Sequence, residues 1–64
     1  MTTLLASSPT LDGITDAIER FHMGEPRALK GDDETGYIVL DHLNQEIEGL
    51  RVIKKGKRYR FESV

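Results

Sequence analysis

Residues 48–64 read EGLRVIKKGKRYRFESV: two runs of strand-forming residues, Leu50 to Ile53 and Tyr59 to Phe61, on either side of Lys54-Lys55-Gly56-Lys57-Arg58. A glycine inside so short a polar connection marks a turn, because glycine takes positive φ without a Cβ penalty. The stretch is therefore read as a β-hairpin, with two admissible registers. A turn at Lys55-Gly56 sets Lys54 against Lys57, Ile53 against Arg58, Val52 against Tyr59, Arg51 against Arg60 and Leu50 against Phe61. A turn at Gly56-Lys57 sets Val52 against Phe61 and replaces the Arg51/Arg60 repulsion by an Arg51/Glu62 pair. Either register collects Leu50, Val52, Tyr59 and Phe61 on one face and leaves Arg51, Arg58 and Arg60 with Ile53 on the other. A three-residue loop changes the parity and wastes the apolar face, so it is excluded. The hairpin has a core side and a cationic side.

Working outward, the basic character is local. The net charge is −2, yet Met1 to Leu50 holds ten acids against Arg20, Arg27 and Lys30, whereas Arg51 to Val64 holds six bases against Glu62. The molecule is expected to be electrically bipolar. Sixty-four residues make one small domain with a small core, and a chain of this size buries only about 60% of the surface its unfolded form exposes. Without cysteine, neither a disulfide framework nor a thiolate zinc site can staple it. Homo-oligomerisation is the remaining common support. The N-terminus MTTLLASS has no basic segment before its short apolar patch, and no run approaches the roughly 20 apolar residues of a membrane span. A cytoplasmic protein with no membrane contact is the expectation.

Along the chain, Met1 to Ser7 shows no periodicity and reads as a frayed, disordered lead to a single α+β domain over residues 8–64. Ser8-Pro9 reads as an N-cap followed by proline in the first helical turn. Leu11, Ile14, Ala17, Ile18 and Phe21 then recur at helical spacing, opposite Asp12, Asp16, Glu19 and Arg20. This predicts an amphipathic helix from about Pro9 to Met23, stopped by Gly24 and Pro26, with the lone Gly13 inside it read as a packing concession. Ala28-Leu29-Lys30 is a short edge-strand candidate. Gly31 to Gly36 is an acidic loop, and Tyr37-Ile38-Val39-Leu40 is the clearest strand, apolar enough for an interior position. For Asp41 to Ile47 a turn at Asn44-Gln45 is favoured over a helical turn, because it sets Tyr37 against Val52 and Val39 against Leu50. The expected fold is one N-terminal amphipathic helix packed on a three- to four-stranded antiparallel meander, in the order α-β-β-β-β.

Few residues carry chemistry. Arg51, Lys54, Lys55, Lys57, Arg58 and Arg60 form the candidate binding set, since a basic two-stranded ribbon can track a phosphate backbone and release counterions. The plain alternative is a solvated turn whose lysines discourage edge-to-edge pairing. Tyr59, predicted to sit against Val52, belongs to the core. Asp32, Asp33 and Glu34 lack the ligand spacing of a calcium loop, so no metal or other cofactor is expected. His22 lies at the rim of the helix stripe, and Asp41, His42 and Glu46 gather only if their segment is helical. No nucleophile elbow, glycine-rich phosphate loop or H-E-x-x-H pair is present, so neither an enzyme nor a small-molecule substrate is expected. Two functions remain as expectations: a non-enzymatic module whose basic hairpin binds nucleic acid or an acidic protein surface, and a self-assembling accessory domain in which the acidic loop and helix engage a second copy.

Overall fold

The computed structural model describes residues 2–64. Among the described residues, five strands and one helix follow each other as β1 (Thr3–Ser8), α1 (Leu11–Phe21), β2 (Ala28–Asp32), β3 (Gly36–Leu40), β4 (Glu46–Lys55) and β5 (Arg58–Ser63). The strands form one antiparallel sheet in the order β1-β5-β4-β3-β2. The class is α+β, and β2 to β5 are the expected meander. Two expectations fail at the N-terminus. Thr3–Ser8, expected as a frayed lead up to Ser7 and a helix N-cap at Ser8, is a strand paired with β5 from Thr3↔Ser63 to Ser8↔Tyr59, so the sheet has five strands where three or four were expected, and the helix is the second element. Met1 lies outside the described residues.

α1 begins two residues later than its sequence signals suggest. Thr10, at φ −128° and ψ 154°, is the N-cap, and its hydroxyl accepts from the Gly13 N–H. Ser8 stays in β1 and its Oγ accepts from the Thr10 N–H at 3.3 Å. A Cβ on Gly13 would lie 2.1 Å from that Oγ, which gives the mid-helix glycine its packing reason. At the other end the Gly24 N–H reaches back to the Glu19 carbonyl at 2.6 Å, closing the helix where Gly24 was read as a stop.

The helix lies over β1 and β5. Ile14 and Ile18 project from it onto Val39, Val52 and Phe61, and these five residues are at most 1% exposed. Burying side chains of this kind contributes about 1.5–3 kcal/mol each, and partly buried neighbours such as Leu5, Leu11, Leu29 and Leu50 pack against them. Phe21, the last residue of the apolar stripe, meets the Phe61 ring edge-on at 5.4 Å while staying half exposed.

The β4–β5 hairpin takes the second of its two registers: Lys55↔Arg58, Lys54↔Tyr59, Ile53↔Arg60, Val52↔Phe61 and Arg51↔Glu62. Gly56 opens the two-residue turn at φ +64°, while Lys57 is not among the residues of positive φ. A turn with positive φ at its first position alone calls for glycine there, and the other register would have put Lys55 in that place. Between β3 and β4, Tyr37 faces Val52 as expected, but the register shifts beyond Ile38↔Arg51, and Leu40 pairs with Glu46 instead of continuing the ladder through Val39 and Leu50. Asp41 organises that connection, its Oδ1 accepting from the Leu43 and Gln45 N–H groups at 2.8 and 3.0 Å.

Candidate functional site

A helix covers only one face of the sheet. The hairpin register places Leu50, Val52, Lys54, Tyr59, Phe61 and Ser63 on the α1 side, and Arg51, Ile53, Lys55, Arg58, Arg60 and Glu62 on the opposite, helix-free side. Strand alternation carries that second surface outward through Ile38 and Lys30 of β3 and β2 in one direction, and through Leu4 and Ser7 of β1 in the other. Glycines at positions 31 and 36 leave a shallow depression of about 450 Å³ between Lys30, Ile38, Arg51 and Ile53. The result is an open aliphatic floor fringed by cations.

The six basic residues of the candidate set do not act alike. Arg51 and Arg60 stand on the same face and share Glu62, which is only 5% exposed. Arg51 Nη2 lies 3.2 Å from Glu62 Oε1, and Arg60 Nε lies 3.1 Å from Oε2. A carboxylate this buried requires such partners, so part of the positive charge is spent inside the molecule. Arg58 keeps its charge outward while its Nε donates to Ser7 Oγ at 3.0 Å. Lys55 and Lys57 are exposed and, among the described residues, meet no carboxylate within ion-pair distance.

Lys54 leaves the group. It lies on the α1 side, paired with Tyr59, and its Nζ is 3.4 Å from Asp33 Oδ2 and 5.6 Å from the Tyr59 ring centroid. Asp33 also accepts from the hydroxyls of Tyr37 and Tyr59. The Tyr37 hydrogen bond holds the Asp33 carboxyl below its ordinary value, with Tyr59 and Lys54 adding to the effect. The same bond pushes Tyr37 up to about 12. Asp32 caps the β2–β3 turn instead of facing a ligand: its Oδ1 accepts from the N–H groups of Glu34 and Thr35 and from the Thr35 hydroxyl. Tyr59, expected against Val52, thus sits one register step away on Lys54 and tethers the acidic turn to the hairpin.

The remaining candidates have structural roles. His22 is half-buried at the helix end, with Nδ1 2.9 Å from the Ile18 carbonyl oxygen. Asp41 and His42 belong to a turn, and no group of three or more potential metal ligands converges among the described residues. A second cleft lies between Glu25, Pro26, Arg27 and His42, where Arg27 already bonds to the Glu25 carboxylate and the Pro26 carbonyl. No helix among the described residues is long and apolar enough to cross a membrane.

Sequence reasoning missed Lys30, Ile38, Leu4 and Ser7 as parts of this surface. Strand order brings them beside the hairpin, and the short apolar run Leu4-Leu5-Ala6 was the one local hint of β1. Comparison with protein families, with curated proteins and with solved structures finds no match for this chain.

Proposed function

We propose that the protein is a small non-enzymatic module that binds nucleic acid through the phosphate backbone, using the helix-free face and the tip of the β4–β5 hairpin. The observation that carries this reading is the display of Arg51, Lys55, Arg58 and Arg60 on one uncovered sheet surface, continued by Lys57 in the turn. Cations displayed along a two-stranded ribbon can contact successive phosphates of a duplex backbone and release condensed counterions. The tyrosines lie on the other side of the sheet and are engaged with Asp33, so contact is to phosphates and not by base stacking.

A second reading draws on the floor of the depression. Ile38 and Ile53 between Arg51 and Lys30 offer an apolar centre with a basic rim, the composition of a protein interface for an acidic segment. Fluorescence anisotropy with duplex and single-stranded oligonucleotides at low and moderate salt separates the two. Phosphate binding falls steeply as salt rises and is lost when Lys55, Lys57 and Arg58 are all changed to alanine. Absence of any oligonucleotide binding at low salt overturns the nucleic-acid reading in favour of an acidic protein partner.

A further inference from the structure

The two edges of the sheet are built differently. β2 is approached through Pro26 and carries exposed Lys30 and Asp32, with Gly31 at φ +140°. Prolines, charges and irregular backbone are the usual means by which an edge strand is kept from pairing. β1 is the other edge, and its sequence Thr3-Leu4-Leu5-Ala6-Ser7-Ser8 holds no charge and no proline. A bulge between Leu4 and Ala6 adds twist, yet it puts no repulsive group in the path of an incoming strand. Leu4 is 48% exposed on this edge. Val64, which follows Ser63, the partner of Thr3 at the start of β1, is a further exposed apolar side chain.

We propose that β1 is a self-association edge, at which two copies pair antiparallel through Thr3–Ser8 to form one continuous sheet. A second copy fits for three reasons. An uncharged strand laid antiparallel to itself opposes no like charges, and the contact is isologous and closes after two copies. α1 rides over β1, so the two helices run antiparallel beside the dyad, bringing exposed Asp12 and Asp16 of one copy toward the end that carries exposed Arg20 of the other. The lysine-rich hairpin tips meanwhile point in opposite directions, so their repulsion is small.

The pairing also enlarges the basic surface. A dyad normal to the sheet keeps both helix-free faces on the same side. The two β5 strands are then separated by three strand spacings, roughly 14 Å, and Arg58 and Arg60 of both copies share one face. This inference stands on the edge itself and does not depend on what the face binds.

The test is light scattering over a concentration series together with hydrogen exchange of the β1 amides, on the unaltered chain and on Leu4→Lys, with circular dichroism to follow the fold. The expected result is a concentration-dependent dimer whose β1 amides exchange more slowly as concentration rises. Leu4→Lys is expected to weaken association by about tenfold or more. A monomer throughout the series overturns the proposal, as does a dimer whose β1 exchange is independent of concentration. The exchange measurement on the unaltered chain decides the matter even if the variant fails to fold.

Discussion

Arg51 and Glu62 face each other across β4 and β5, with Arg51 Nη2 3.2 Å from a carboxylate that is only 5% exposed, and Arg60 holds the other oxygen of the same group. Two cations of the candidate binding surface are therefore also its structural fastening. Because one carboxylate serves both, removing one arginine leaves the other in place. Arg51→Ala or Arg60→Ala alone is expected to cost about 1 kcal/mol, since each guanidinium is partly open to water. The double variant, which strands a buried charge, is expected to cost about 3 kcal/mol, more than the sum of the two. Urea unfolding of the four members of the cycle measures this, and strict additivity would show that Glu62 is not shared in solution.

Lys55 and Lys57 carry no such duty, and Arg58 is held only by an exposed hydrogen bond to Ser7 Oγ. Alanine at any one of them is expected to change stability by no more than about 0.5 kcal/mol. Each is expected to make the slope of log affinity against log salt shallower by about one if it contacts a phosphate. Parallel melting and anisotropy measurements separate these three from Arg51 and Arg60, whose loss lowers both quantities.

Asp33 makes the fold sensitive to acid. Hydrogen bonds from Tyr37, then Tyr59, and the nearby Lys54 lower its carboxyl in the folded protein below the ordinary 3.8. A group lowered on folding stabilises the fold above its unfolded value and ceases to do so as pH falls through its folded value. Stability is thus expected to decline as pH drops from about 4 downward. Asp33→Asn should flatten that decline, and denaturant unfolding at a series of acid pH values would reveal an unchanged slope if the tether is absent.

At the alkaline end the same contact acts through Tyr37, raised from 10.0 to about 12 chiefly by its bond to Asp33. A group raised on folding contributes stability below its unfolded value, which is lost as pH rises through the folded one. Burial and the Asp33 hydrogen bond raise Tyr59 as well, so ultraviolet titration of tyrosinate is expected to show both tyrosines ionising late, with Tyr37 returning toward 10.0 in Asp33→Asn. A Tyr37 titration identical in both proteins would contradict the contact.

Two glycines separate backbone conformation from lack of space. Gly56 has φ +64° with nothing within 4 Å of a built Cβ, whereas a Cβ on Gly31, at φ +140°, would meet the Gly36 carbonyl oxygen at 2.2 Å. Gly56→Ala is expected to cost about 1 kcal/mol from φ alone. Gly31→Ala is expected to cost about 3 kcal/mol, because a backbone atom must move as well. Denaturation midpoints of the two variants give the comparison.

Much of this architecture is legible along the chain. The Leu11, Ile14, Ile18 stripe, the edge position of Ala28 to Lys30 and the two faces of the final hairpin follow from periods of 3.6 and 2, which are local properties of the backbone. The Tyr37/Val52 match follows from requiring neighbouring strands to agree on a buried face. β1 escaped notice because Thr3 to Ser8 has little strand propensity of its own. Its place comes from β5, which offers it an unpaired edge, and from Ile14 and Ile18 above.

The sequence by itself determined the class, the helix and which side of the hairpin is cationic, since each depends on residues a few positions apart. Only the tertiary structure decided the place of β1 beside β5 and which of the two hairpin registers is taken. It also decided the fate of each positive charge: Lys54 drawn to Asp33, Arg51 and Arg60 bound to Glu62, and Lys55, Lys57 and Arg58 left toward solvent. Composition counts charges, but the work a charge can do depends on which groups lie within a few ångströms of it once the chain has folded.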